Sequence, residues 1–276
     1  NMADVIHLSQ SVSTNLLTLQ RTSTNIASTQ TRLSTGLRVN SALDNAAAFF
    51  TAKALNDTAQ DFDDLKSNID LAISTIQTAI DGIDAISELV NQAKGLASNA
   101  KATGDTNERS TLAVQFNELL GQINTIANDS SFNGTNLLQA TPDNLAVEFN
   151  TDNTSNLTIT GLDSTTATSG INIAVAANNF GLNANVDTAL TAISSALTTL
   201  RSNASTMGSR NTILTTRLNF TDDLVNTLEG GKGKLTLADL NEESANLLAL
   251  QTRQQLGINS LALAAQSERS ILALFG

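Results

Sequence analysis

The chain has 276 residues, with no cysteine, tryptophan or tyrosine, one histidine and one proline, and its net charge is −11. This composition excludes a disulfide framework, a thiolate or two-histidine metal site and a cysteine nucleophile, so no cofactor or metal is expected. The chain has no basic patch interleaved with aromatic residues, so nucleic acid is not an expected partner. It also has no apolar run of about 18 residues, so insertion into a membrane is not expected.

The first predicted helix carries an apolar residue at every seventh position. These residues are Val5, Val12, Leu19, Ile26 and Leu33. This period is typical of a helix that packs along one seam against another helix. The first ten residues lack a basic stretch followed by an apolar run, so we expect no cleavable signal peptide.

A second, longer helix is predicted from two interleaved heptad series. The first series is Ile69, Ile76, Ile83, Val90 and Ala97, and Ala72, Ala79, Ile86, Ala93 and Ala100 follow it three residues later. A shorter helix follows, with apolar residues at Leu112, Phe116, Leu119, Ile123 and Ile126. Helix starts are predicted where a capping side chain precedes an acid by three residues, at Ser41, Asp105 and Asp239.

The middle of the chain changes to the two-residue period of strands. Asn133-Gly134 is a strong signal for a tight turn. Apolar and polar residues then alternate in three stretches, at Leu145, Val147 and Phe149, at Leu157 and Ile159, and at Ile171, Ile173 and Val175. We therefore predict a small set of β-hairpins within residues 132–180.

Heptad spacing returns from Val186 to Leu228, and the polar exceptions in it are Asn211 and Thr221. Asn211 is consistent either with a polar residue that fixes the helix register or with a seam that drifts towards the surface. Gly230, Gly231 and Gly233 interrupt the pattern, which favours a hinge or kink there. The pattern predicts a mainly α fold of long antiparallel coiled-coil helices forming a rod, with paired terminal helices.

The terminal helices have too few charges for ordinary surface helices. Arg21 is the only charged residue between Val5 and Thr31, and Arg253 is the only one between Ser244 and Ser267. A helix that is apolar around much of its circumference is buried, and other copies of the chain are the simplest burial partner. The expected self-assembly residues are Val5, Val12, Leu19, Ile26, Leu33, Leu247, Leu250, Leu261, Ile271, Leu274 and Phe275.

Three groups of motifs resemble those of bacterial flagellin. Leu33-Ser-Thr-Gly-Leu-Arg-Val-Asn40 followed by Ser41-Ala-Leu-Asp-Asn-Ala-Ala47 is similar to the N-terminal signature of that family. Ser131-Phe-Asn-Gly-Thr-Asn-Leu-Leu138 resembles the family's entry to its β region, with Asn133 and Gly134 at the turn. Asp239-Leu-Asn-Glu-Glu-Ser-Ala245, Leu250-Gln-Thr-Arg-Gln-Gln-Leu-Gly257 and Ser270-Ile-Leu-Ala-Leu-Phe275 resemble its C-terminal helix.

The resemblance implies a structural subunit that self-assembles into the flagellar filament for swimming motility. Residues 1–40 and 236–276 would form the inner tube, residues 41–131 and 181–235 a helical rod, and residues 132–180 its β-hairpin segment. The chain would be a short form without large outer domains. It would be exported to the extracellular filament by the type III route, with an export chaperone, the filament cap and hook-associated proteins as partners besides itself.

Other functions fit the sequence less well. A hook–filament junction protein has related termini, but the C-terminal motifs resemble flagellin. A secreted coiled-coil adhesin would carry charged residues beside its seams, and the terminal helices lack them. An enzyme is the least expected class, because histidine-based acid–base catalysis would depend on His7 alone.

Three local features have alternative interpretations. The Ser/Thr-rich segment 151–169 is consistent with a solvated loop or with an acceptor of O-linked sugars. Asp61, Asp63 and Asp64 are expected on a solvated helix face, because they lack the loop spacing of a calcium site. Ser87-Glu88-Leu89 has serine where the family's receptor-binding patch has arginine, so the resemblance does not imply recognition by the innate immune receptor for flagellin.

Overall fold

The computed structural model describes the backbone of residues 10–275 and the side chains of residues 12–270 other than Glu268. The α-helices of this part are α1 (Gln10–Thr35), α2 (Ala46–Ala102), α3 (Thr106–Asp129), α4 (Asn183–Thr236) and α5 (Leu240–Phe275). Between α3 and α4 lie the strands β1 (Ser131–Phe132), β2 (Thr135–Asn136), β3 (Asn144–Glu148) and β4 (Asn156–Thr160), and a 3₁₀ turn at Ala177–Phe180. The predicted mainly α fold with a small β-hairpin region is confirmed.

The chain divides into two compact units. One unit is Ala59–Asn226, and the other combines the described parts of Asn1–Thr58 and Thr227–Gly276. The core of the unit Ala59–Asn226 is built from the heptad residues of its helices. All ten α2 residues of the two predicted series are at most 3% exposed. The matching series on α4 is completely buried at Val186, Ile193, Leu200, Met207 and Leu214.

The polar residues of the α4 seam are held in different ways. Thr221 is buried, and its hydroxyl donates to the carbonyl oxygen of Arg217 at 2.9 Å. The Oδ1 atom of Asn211 is buried and has no hydrogen-bond partner among the described residues. Because this amide oxygen is shielded from solvent, the structure favours a seam position for Asn211 over a drift to the surface.

The β region contains two antiparallel hairpins. In the first, Ser131 pairs with Asn136 and Phe132 with Thr135. Asn133 and Gly134 form its two-residue turn with φ angles of 49° and 79°, the two positive values that this type of hairpin turn requires. In the second hairpin, β3 pairs with β4 over five residues.

The third predicted strand is absent. Ile171 and Ile173 are buried and Val175 is exposed, but the backbone N–H groups of Ile171 and Ile173 donate to the nearby carbonyl oxygens of Thr165 and Thr166. At Ile171 and Ile173 the alternation therefore records which side of a loop is buried, and it no longer does so at Val175. It does not record a β-ladder, because the backbone bonds of the segment are made locally.

One predicted helix start is also wrong, and the glycines that interrupt the apolar pattern of α4 do not end that helix. α4 continues through Gly230, Gly231 and Gly233 and ends at Thr236, so these glycines do not interrupt the helix. α2 begins at Ala46, and Oδ1 of Asn45 accepts from the N–H of Ala48. The predicted cap Ser41 instead belongs to a turn that precedes the helix. At Asp105 and Asp239 the predicted caps are confirmed, because both carboxylates accept backbone N–H groups of the first helical turn.

Candidate assembly surface on the terminal helices

The first and last helices pack against each other in the unit formed by the two ends of the chain. Nη1 of Arg32, near the end of α1, donates to Oε1 of Glu243, near the start of α5, at 3.0 Å. Farther along, a Cβ atom on Gly257 would lie 2.7 Å from Cδ1 of Leu19. These two contacts show that α1 and α5 run antiparallel and that Gly257 allows a close approach.

The seam between α1 and α5 is partly polar. On α1, Val12, Thr22 and Thr29 are buried. The hydroxyl of Thr22 donates to the carbonyl oxygen of Thr18 at 2.9 Å, so its burial leaves no unpaired donor. The heptad pattern of apolar residues does not identify the two threonines, because threonine is polar. Their spacing of seven residues, combined with the ability of threonine to bond the preceding turn, is the signal that identifies them.

Glu243 is the acidic member of the α5 seam. It is only 8% exposed, and its Oε2 atom is buried without a hydrogen-bond partner among the described residues. Its position in the first turn of α5 is favourable for a negative charge, because the helix dipole is positive there. The ion pair with Arg32 is only partly buried, because the Arg32 side chain is 36% exposed, and it favours one register of α1 against α5.

The predicted self-assembly residues occupy three environments. Val12 and Leu250 are buried, and half-buried positions are held by Leu19, Ile26, Leu33, Leu247 and Leu261. Val5 lies outside the described residues, as do the side chains of Ile271, Leu274 and Phe275. The turn residues Asn133 and Gly134 belong to the other unit, at the tip of the first hairpin.

Other leucines leave large areas of side chain exposed to solvent. Leu17 of α1 is 49% exposed, and Leu248, Leu256 and Leu263 of α5 are 66%, 64% and 67% exposed. At 100° per residue, the three α5 leucines lie on the side of the helix opposite Leu250. The two helices therefore bury one face against each other and present a second apolar face outwards.

The segments that join these helices to the rest of the chain also pair. Leu37 and Leu237 form an isolated antiparallel bridge. The N–H of Arg38 donates to the carbonyl oxygen of Thr236 at 2.7 Å, and the N–H of Ala238 donates to that of Gly36 at 2.9 Å. Gly36 has a φ of 70°, the left-handed conformation that commonly ends a helix.

The described residues contain no candidate metal site. No group of three histidine, cysteine or acidic residues in them is placed to hold a metal ion. Asp61, Asp63 and Asp64 are exposed, as expected for a solvated helix face. Among the described helices, none combines the length and the hydropathy that crossing a membrane would require.

Known proteins match both ends of the chain. Residues 6–143 match the family model of the bacterial flagellin N-terminal helical region, and residues 190–275 match that of the C-terminal helical region. Flagellin FljO of Caulobacter vibrioides is 34% identical over 94% of each chain, and a flagellin of Brucella melitensis is 30% identical over 99% of each. A crystal structure of Bacillus cereus flagellin covers 56% of this chain and 88% of its own, with 21% identity and a TM-score of 0.49.

The family models and the relatives together cover nearly the whole length of the chain. They favour the filament subunit over the hook–filament junction protein and the coiled-coil adhesin. The family is a structural one whose members self-assemble into the extracellular flagellar filament, and the chain belongs to this family of bacterial flagellins.

Proposed function

We propose that the α1–α5 pair forms the inner tube of the filament, with residues 1–40 and 236–276 as the tube segment. Residues 41–131 and 181–235 are then the helical rod, and residues 132–180 are its β-hairpin segment. The observation that carries this proposal is the second apolar face of the pair, which stays exposed after α1 and α5 have packed together.

In this proposal the predicted assembly residues with described side chains belong to the α1–α5 seam, and three other leucines of α5, which were not among those predicted, make the contacts between subunits. Val12, Leu19, Leu250 and the other seam residues hold α1 and α5 in one register. Leu248, Leu256 and Leu263 then contact neighbouring subunits. Each of these three is about two-thirds exposed, so burial in the filament contributes roughly 1–2 kcal/mol per leucine. One such contact holds a single pair of subunits only weakly. In a polymer every subunit repeats the contact, so the contacts together stabilise the assembly.

A charge on this face tests the proposal. We expect Leu256→Asp to raise the critical concentration for polymerisation of the full chain by at least tenfold, because a carboxylate would have to be desolvated at the contact. Sedimentation and negative-stain microscopy of seeded polymers measure this critical concentration. The control is Leu182→Asp, since Leu182 is similarly exposed but lies in the other unit. Equal effects of the two variants would show that Leu256 is not at a subunit contact.

We also infer a purely structural role without catalysis, export to the extracellular filament, and contacts with an export chaperone, the filament cap and hook-associated proteins. Membership of a structural, filament-forming family supports each of these points. The long apolar C-terminal helix is the segment that a chaperone would cover, because its exposed leucines have no partner in the single chain described here.

A further inference from the structure

One arginine stands alone at the edge of the exposed apolar face of α5. Arg253 is exposed, and it is the only charged residue between Ser244 and Ser267. It forms no ion pair with any residue that the structure describes. Leu256, which is 64% exposed, follows it by three residues, so the two side chains are neighbours on the helix surface. The arginine therefore borders the leucines that the single chain leaves uncovered.

One acid near the start of α5 also has no partner in the single chain. Glu242 is exposed and forms no ion pair within the described part of the chain. The acids on either side of it are engaged. Glu243 pairs with Arg32, and the carboxylate of Asp239 accepts two backbone N–H groups of the first helical turn. Glu242 is thus the acid at this end of α5 that is available to a cation from outside the chain.

The two charges lie on the same side of the helix but too far apart to meet. Eleven residues separate Glu242 from Arg253, which at 100° and 1.5 Å per residue places them within about 20° of each other and about 16 Å apart along the axis. A second α5 that runs parallel and is shifted by about 16 Å brings the arginine of one helix beside the acid of the other. The same shift of eleven residues places Leu256 beside Ala245, a small and exposed residue.

We propose that Arg253 of one subunit pairs with Glu242 of a neighbouring copy, beside the contacts of Leu256. The occupant of this surface is a second copy of the chain, because the chain itself carries both of the unpaired, opposite charges on one helix side. The proposal rests on the proposed function, since filament assembly is what aligns two α5 helices. Each copy turns its arginine to one neighbour and its acid to another, and such a head-to-tail contact builds an open filament when it does not close into a ring.

Charge reversal tests this ion pair in the full chain. We expect Arg253→Glu alone and Glu242→Arg alone each to raise the critical concentration for polymerisation at least fivefold, because each variant places like charges opposite each other. The two changes together restore opposite charges, so the double variant should have a critical concentration at least threefold below that of either single variant. Recovery stays incomplete because arginine is unfavourable in the first turn of a helix. Sedimentation of seeded polymers measures these critical concentrations.

Arg21 of α1 provides the matched control. It is exposed and is the only charged residue between Val5 and Thr31, so Arg21→Glu changes the net charge of the chain as Arg253→Glu does. We expect the addition of Glu242→Arg to Arg21→Glu to give no recovery, because Arg21 does not face Glu242 in the proposed contact.

Three outcomes would count against these inferences. Recovery in the double variant of Arg253 and Glu242 no greater than in the control would overturn the ion pair, but not the contact made by the leucines. A lowered unfolding midpoint of monomeric Arg253→Glu, measured by circular dichroism, would show that the arginine has a partner in its own chain and would also overturn the ion pair. Failure of the unmodified chain to polymerise would instead contradict the proposed function.

Discussion

Single residues with several polar partners fix the local geometry, and Asn136 is the clearest example. It is 4% exposed, and its Nδ2 donates to the carbonyl oxygens of Ala127 and Asn128 at 2.9 and 2.8 Å. Its Oδ1 accepts from the N–H groups of Leu138 and Gln139. One amide thus joins the end of α3 to the chain beyond β2. The motif around Asn133-Gly134 predicted the turn but not this role, because the partners come together only in the folded chain.

Replacement of Asn136 should be costly. We expect Asn136→Ala to lower the free energy of unfolding by about 2–4 kcal/mol, because it leaves buried N–H and carbonyl groups unpaired. Urea unfolding followed by circular dichroism measures the change. The control is Asn128→Ala, an exposed asparagine that contributes its backbone carbonyl, with an expected change within about 0.5 kcal/mol. A loss for Asn136→Ala no larger than that of the control would show that its hydrogen bonds are dispensable.

The turn at Asp44 should have a characteristic pH dependence. Backbone hydrogen bonds from Ser41 and Asn40 lower the pKa of Asp44 below its ordinary 3.8. A carboxylate whose pKa is lowered by folding stabilises the folded state above its unfolded pKa, and this stabilisation is lost as the pH falls through the folded pKa. We therefore expect Asp44→Asn to lower the thermal midpoint at neutral pH, with a difference that shrinks as the pH falls below 3.8 and disappears once the pH is below the lowered pKa of Asp44.

The same measurement on Asp61→Asn, an exposed acid of α2, provides the reference for this pH dependence. A midpoint difference for Asp44→Asn that stays constant down to pH 2 would mean that the turn does not depend on the ionised carboxylate.

At the scale of helices and strands, hydrophobic period predicted the long helices well, because each series packs along a single seam. The ten buried positions of α2 follow directly from spacing. The hydrophobic pattern failed to predict the loop at Ile171 and Ile173, because these side chains are buried although their backbone makes no β-ladder. It also failed at Thr22, a polar residue that can be buried because its hydroxyl bonds to its own helix. The glycines near Gly231 were misleading because a helix tolerates them at about 1 kcal/mol each. A Cβ atom on Gly231 would lie 3.4 Å from Cδ1 of Leu55, a contact that no sequence pattern specifies.

Gly257 tests the close packing of α1 on α5. We expect Gly257→Val to weaken the pairing and to raise the critical concentration for polymerisation, because its Cβ would meet Cδ1 of Leu19 at 2.7 Å. Shortening the opposing side chain in Gly257→Val with Leu19→Ala should recover part of the loss. Hydrogen exchange of the α5 amides and sedimentation of polymers measure the two effects.

The matched control is Gly121→Ala in α3, where an added Cβ has no atom within 4 Å. It should stabilise the chain by about 0.5–1 kcal/mol, as expected for an unhindered helical glycine. An increase in stability for Gly257→Val as well would show that the contact with Leu19 does not limit the approach of the helices.

At the scale of the whole molecule, the chain divides its tasks between two units. The unit Ala59–Asn226 contains the continuous core from Ile69 to Leu214, whereas the terminal helices bury one face and leave another exposed. The sequence alone indicated this division, because charged residues are rare in the helices at both ends of the chain. It did not show which leucines lie within the α1–α5 seam and which point outwards, because nearly every face of α5 carries one.

Removal of residues 240–276 separates these tasks. We expect the truncated chain to remain soluble and helical, to unfold cooperatively through the unit Ala59–Asn226, and to form no filaments under conditions in which the full chain polymerises. It should also lose binding to an export chaperone of its own flagellar system, measured by size-exclusion chromatography. Filaments from the truncated chain would show that α5 is not part of the inner tube.

The pairing of Arg32 with Glu243 joins residues that are 211 positions apart in the chain. The cost of closing such a loop depends on chain length only logarithmically, but the contact is non-local, and non-local contacts form slowly. A chain delivered one end first, from a ribosome or through an export channel, cannot make this pair until nearly its last residues have emerged. When the N-terminus is delivered first, the whole unit Ala59–Asn226 emerges before Glu243, so the topology allows this unit to fold before the α1–α5 pair can form.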